Sequence, residues 1–142
     1  MQYKIKKISG DASFREFYKI EKNSELTILV KANKDKFRNL IIYAAINELL
    51  IKNKIRAPKL VQEYFAINMM EIENLGNHSF LEHIKNKKKK FNDYKKLVEL
   101  IIKLQKITFK KYIKFRNNKI KIKIHNLSEL HKESDLFFDW YL

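Results

Sequence analysis

The residues best suited to chemistry lie between Ser9 and Ala32. There a glycine-containing turn, Gly10–Ser13, and a strand-end lysine, Lys31, flank a polar connection at Glu21–Glu25. Alternation along Leu26–Lys31 puts Leu26, Ile28 and Val30 on one face and Thr27, Leu29 and Lys31 on the other. A charge that closes an apolar strand is costly unless it is exposed or paired. Two readings of Lys31 fit. It is a snorkelling strand-end lysine, or it is a cation gripping phosphates beneath a hairpin whose tip carries Gly10–Ser13. Glu48 bears on that choice, because it falls on the apolar stripe of a helical pattern with Ile41 and Ala44. It is either a flank residue of that helix or an acid that reaches Lys31 and fixes its position.

The elements that must position these residues follow from periodicity. Tyr3–Ile8, Phe14–Ile20 and Leu26–Ala32 alternate as strands, with Ser9-Gly10-Asp11 and Asn23-Ser24 as turn signals. Asp35–Asn53 switches to three- and four-residue spacing through Phe37, Leu40, Ile41, Ala44, Ala45 and Leu49, which predicts a helix. Ala57-Pro58 breaks it. Lys59–Ile67 and Met69–Glu73 read as two further strands about a tight turn at Asn68. The first 73 residues therefore run β-β-β-α-β-β, an α+β arrangement of an antiparallel sheet with one covering helix. Asn74-Leu75-Gly76-Asn77 is the best linker in the chain, separating residues 1–76 from a helical region at 77–142.

Beyond the linker, Ser79 is placed to cap a short helix at Phe80–Ile84. Phe91 to about Phe115 has helical spacing through Tyr94, Leu97, Val98, Ile101, Leu104 and Thr108, ended by Asn117-Asn118. Lys119–Ile124 alternates as a short strand or extended segment, and Ser128 is placed to cap a last helix carrying Leu130, Phe137, Trp140 and Tyr141.

Composition bounds the function classes. The chain of 142 residues, 45% of them hydrophobic, can bury a core. The absence of cysteine excludes disulfides and thiolate metal sites and fits a reducing cytoplasm. No apolar run approaches the roughly 20 residues that span a bilayer, and the N-terminus lacks a secretion signal, so no membrane partner is expected. The net charge of +15 invites a nucleic-acid reading. That excess is nearly all lysine, with Arg15, Arg38, Arg56 and Arg116 the only arginines, whereas readers of nucleic acid favour the arginine fork. Lysine, asparagine and isoleucine dominate together, and all three have A/T-rich codons, so genome composition accounts for the charge.

The segments GDASFREFYKI, LVKA, IRAPKL and EIENLG, in that order, resemble the N-terminal lobe of the aminoglycoside phosphotransferase family, closest to the bacterial anomeric kinases of N-acetylmuramate and N-acetylglucosamine. HNLSELHKESDLFFDWYL is similar to a stretch early in their C-terminal lobe. The resemblance implies a kinase-like fold that moves the γ-phosphoryl group of ATP to a sugar hydroxyl with Mg2+. It also implies roles: Gly10, Asp11, Ala12, Ser13 and Phe14 as the loop over the phosphates, Lys31 as the strand lysine with Glu48 as its candidate partner, and Glu73, Asn74 and Leu75 in the hinge whose backbone meets adenine. Asn74 stands where the family usually has an acid. Such enzymes also need a His-x-Asp loop, a following Asn and a metal-binding Asp. None of Asp11, Asp35, Asp93, Asp135 and Asp139 has that setting, so the catalytic loop is expected beyond Leu142 and the chain as the front part of a kinase. The alternative is a non-catalytic basic module, either pseudokinase-like or polyanion-binding.

Overall fold

The computed structural model describes residues 3–8, 14–33, 38–108, 112–122 and 126–141. They divide into two compact units, Met1–Thr108 and Phe109–Leu142. The first holds a five-stranded antiparallel sheet of β1 (Tyr3–Ile8), β2 (Arg15–Lys22), β3 (Glu25–Ala32), β4 (Leu60–Tyr64) and β5 (Met69–Glu73), in the spatial order β1-β2-β3-β5-β4. The strands β2 and β3 are joined by the two residues Asn23 and Ser24, at φ 49° and 67°. Positive φ at both central positions matches the right-handed twist of the strands, and Asn tolerates it well.

Pairing carries the alternation of β3 across the sheet. Val30 faces Phe17 and Met70, and Ile28 faces Lys19 and Ile72, so these residues share one face. That face is the covered one: Val30, Ala32, Met70 and Ile72 are buried, while Lys31 between them is exposed. The helix α1 (Arg38–Lys52) packs against β3 and β4 and buries Leu40, Ile41, Ala44 and Ala45. Val30, Leu40 and Met70 are the largest side chains with no solvent contact, each contributing about 1.5–3 kcal/mol by burial.

Helix α1 ends in paired return bonds, from Lys54 N–H to the Ile51 carbonyl and from Ile55 N–H to the Leu50 carbonyl, with Lys54 at φ 57°. Ile55, which follows that ending, is buried. Buried Asn47 donates from Nδ2 to the Pro58 carbonyl at 3.0 Å, tying the helix to the approach of β4. The expected strand over Lys59–Ile67 is shorter than its alternation suggests. It stops at Tyr64, and Phe65–Ile67 form one 3-10 turn closed by Asn68 in the left-handed region, φ 60°. Asn68 thus makes the expected turn.

After β5 come α2 (Phe80–Lys85) and α3 (Phe91–Gln105). Ser79 caps α2 as its position implies, accepting from Glu82 N–H at 3.1 Å while Glu82 accepts from Ser79 N–H at 2.9 Å. Phe80 meets Tyr94 edge-on at 5.8 Å, and Asp93 accepts from Lys87 at 3.0 Å with His83 at 3.1 Å, so α2 is tied to the first turn of α3. The Lys87 hydrogen bond, then His83, holds the Asp93 carboxyl below its ordinary range.

Two expectations are corrected in the region after α3. The helix expected to run to Phe115 stops at Gln105, and Tyr112–Phe115 is instead a strand, β6, paired with β7 (Asn118–Lys121) across a turn at Arg116 and Asn117. Ile113 and Phe115 lie two residues apart and face the same way as Ile120, a period of two rather than 3.6. Helix α4 (Leu127–Tyr141) follows. Its first turn closes from Leu130 N–H to the Asn126 carbonyl, so Ser128 lies inside the turn and not at the cap.

Candidate functional site

The segment that leaves β5 borders an open hollow in the first unit. Glu73 is fixed at both ends: its N–H donates to the Lys59 carbonyl at 2.8 Å, and its carboxylate accepts from Arg56 at 2.6 Å and from Lys59 N–H at 3.2 Å. Asn74 Oδ1 accepts from Gly76 N–H at 2.9 Å, and Gly76 sits at φ 91°, a conformation that favours glycine. The result is a fixed, bent strap, Glu73–Asn77.

That strap borders a cavity of about 720 Å³ on the covered face of the sheet, beyond the reach of α1. Its apolar lining is Ile8, Phe17, Ile28, Ile72 and Pro58, and its volume suits a small organic ligand. Lys6 and Lys19 border it as well. Lys7 does too, with its amine 2.6 Å from Glu16.

The residues singled out from the sequence separate here. Glu73, Asn74 and Leu75 come together on the cavity. Gly10, Asp11, Ala12 and Ser13 lie outside the described residues. Phe14 is exposed beside the Arg15 guanidinium, 5.5 Å from its ring centroid. Lys31 projects from the opposite face to Ile28 and Ile72, half-exposed, with its amine 3.9 Å from Glu16. Glu48 pairs with Lys52 one turn along its own helix. The Lys31–Glu48 ion pair is therefore not formed, because each partner has a nearer opposite charge.

Glu16 organises the face on which Lys31 stands. It accepts from Lys7 at 2.6 Å and from the Tyr18 hydroxyl at 3.0 Å. These hydrogen bonds, Lys7 first, hold its carboxyl below the ordinary range and raise the Lys7 amine and the Tyr18 phenol. Sequence reading passed over the two lysines on the cavity side. Lys6 and Lys19 stand directly opposite each other across β1 and β2, and only the pairing register reveals it.

Among the described residues there is no group of three or more acidic or histidine side chains able to hold a metal ion. No helix among them is long and apolar enough to cross a membrane. The chain matches no protein-family model and no curated protein.

Proposed function

We propose that this chain is the nucleotide-binding front part of an ATP-dependent small-molecule phosphotransferase acting on a sugar hydroxyl of the amino-sugar or aminoglycoside type. The observation that carries the reading is the cavity itself. A fixed strap, Glu73–Asn77, lies beside an apolar sheet surface of Ile8, Phe17, Ile28 and Ile72. A planar base can stack on such a surface while the strap's peptide groups meet its polar edge. The β-β-β-α-β-β order and the family resemblance of GDASFREFYKI and EIENLG support the same reading. It assigns these residues the holding of ATP only. The aspartate that accepts the hydroxyl proton and the ligands of Mg2+ are not among them.

The test is a titration of the 142-residue chain with ATP, followed by backbone amide NMR. Shifts concentrated at Glu73–Asn77 and at Ile8, Phe17, Ile28 and Ile72 are expected. Lys31→Ala is expected to leave the affinity unchanged, since Lys31 faces away from this cavity. No binding, or shifts confined to the Lys31 face, would overturn the reading. Binding of oligonucleotide with a steep salt dependence and no response to ATP would favour a basic polyanion-binding module instead.

A further inference from the structure

Lysines on β1–β3 are mostly accompanied by acids. Lys7 and Lys31 share Glu16 on one face. On the other, Lys4 faces Glu21 across the strands, 4.0 Å apart. The next pair along that same face is Lys6 opposite Lys19, two like charges with no acid within ion-pair distance among the described residues. Like charges directly opposite on a sheet destabilise it. Lys19 is half-buried, which limits how far water can screen it. The one acid on the cavity, Glu73, is already bound to Arg56 and Lys59.

We propose that Lys6 and Lys19 form an anion clamp that holds the phosphate groups of a nucleotide whose base lies on the apolar part of the same cavity. The proposal rests on the nucleotide reading above and moves the phosphate-holding cation from Lys31 to this pair. Two ammonium groups on adjacent strands place six N–H donors at one cavity wall, which a multiply charged phosphate chain satisfies and a neutral ligand does not. A bound phosphate would also remove the repulsion between the two amines. The apolar floor beside the two lysines favours a nucleotide, with a base to bury, over the bare backbone of a nucleic acid.

The test titrates the full chain with ATP, adenosine and inorganic tripolyphosphate, in Lys6→Gln, Lys19→Gln, Lys19→Arg and Lys31→Gln variants. The expected result is at least about tenfold weaker ATP and tripolyphosphate binding in either glutamine variant. Adenosine binding should not change, Lys19→Arg should retain most of the ATP affinity, and Lys31→Gln should behave as the parent. Without ligand, Lys6→Gln and Lys19→Gln should melt no lower than the parent, which separates a ligand site from a structural role. ATP binding that shifts Glu73–Asn77 yet ignores both lysines would remove the clamp and leave the nucleotide reading standing. Lysine-dependent tripolyphosphate binding with no adenosine binding would keep the clamp and remove the nucleotide. Loss of oligonucleotide binding in the same variants, with no response to ATP, would overturn both.

Discussion

The two faces of the five-stranded sheet treat charge in opposite ways. On the face of Leu29 and Lys31, charge is internally balanced: Glu16 gathers Lys7, Lys31 and Tyr18, and Thr27 hydrogen-bonds Glu71. On the face of Ile28 and Val30, the side chains of Val30, Ala32 and Met70 are buried, while Ile28, Phe17 and Ile8 open onto a cavity whose facing lysines Lys6 and Lys19 have no acid among the described residues. Polar groups that satisfy one another stabilise the fold and leave little for a ligand. Polar groups left opposed beside an apolar hollow cost stability and offer binding. The contrast is the reason the proposed site is put on the covered side of the sheet, away from the lysine that alternation alone made prominent.

The sharpest way to break the contrast is through neighbouring residues of β5. Met70 is fully buried on the α1 side, and Glu71, the next residue, points to the other face. Met70→Ala should cost about 2–5 kcal/mol by urea unfolding, through lost burial and the cavity left behind. Glu71→Ala should cost about 1 kcal/mol or less, since only the hydrogen bond from Thr27 is lost. Equal costs would mean that the two faces are equally packed. A smaller effect is expected at Asn47, whose amide is buried and donates to the Pro58 carbonyl. Asn47→Ala leaves that carbonyl without its donor and should destabilise by about 1–3 kcal/mol. Because the bond anchors α1 next to the cavity-lining Pro58, hydrogen exchange should quicken around Pro58 first. Uniform quickening across the sheet would refute the local anchor.

Much of this arrangement was legible in the sequence because it rests on local chemistry. Asn23-Ser24, Asn68 and Ser79 mark two turns and a helix cap that do not depend on the rest of the chain. The alternation of Leu26–Ala32 already separated Lys31 from Ile28 and Val30. What it could not give was the side that α1 covers, which is settled only when Val30 and Ala32 pack against another element. The Lys6–Lys19 juxtaposition is likewise a matter of register. The two lysines are neighbours because Ile8 pairs with Phe17 across the connection between β1 and β2, and no periodicity within either strand encodes that offset. At Tyr112–Phe115 the difficulty was different. Ile113 and Phe115 fit a helical stripe loosely, and lysine between them is a good helix former, so only the partner Ile120 exposes the period of two. The strap Glu73–Asn77 was readable because glycine is rare in this chain and Gly76 stands at its bend.

The smallest expected effect probes the balanced face. Hydrogen bonds from Lys7 and Tyr18 depress the folded-state pKa of Glu16 below its ordinary value of 4.5. A carboxyl depressed in this way stabilises the fold above its unfolded pKa, and that contribution fades as pH falls through the folded value. Glu16→Gln should therefore remove part of the acid limb of the stability curve below about pH 4.5 and change little near neutrality, where exposed pairs contribute weakly. The same substitution should lower the Tyr18 phenol towards its ordinary 10.0, because the carboxylate that raised it is gone. NMR titration of the Tyr18 ring reads this directly. ATP affinity should change little on Glu16→Gln, since Glu16 itself does not line the cavity. A Tyr18 titration that does not move would show that Glu16 is not the centre of its face. An ATP affinity that does move would show that the two faces are coupled through the strands.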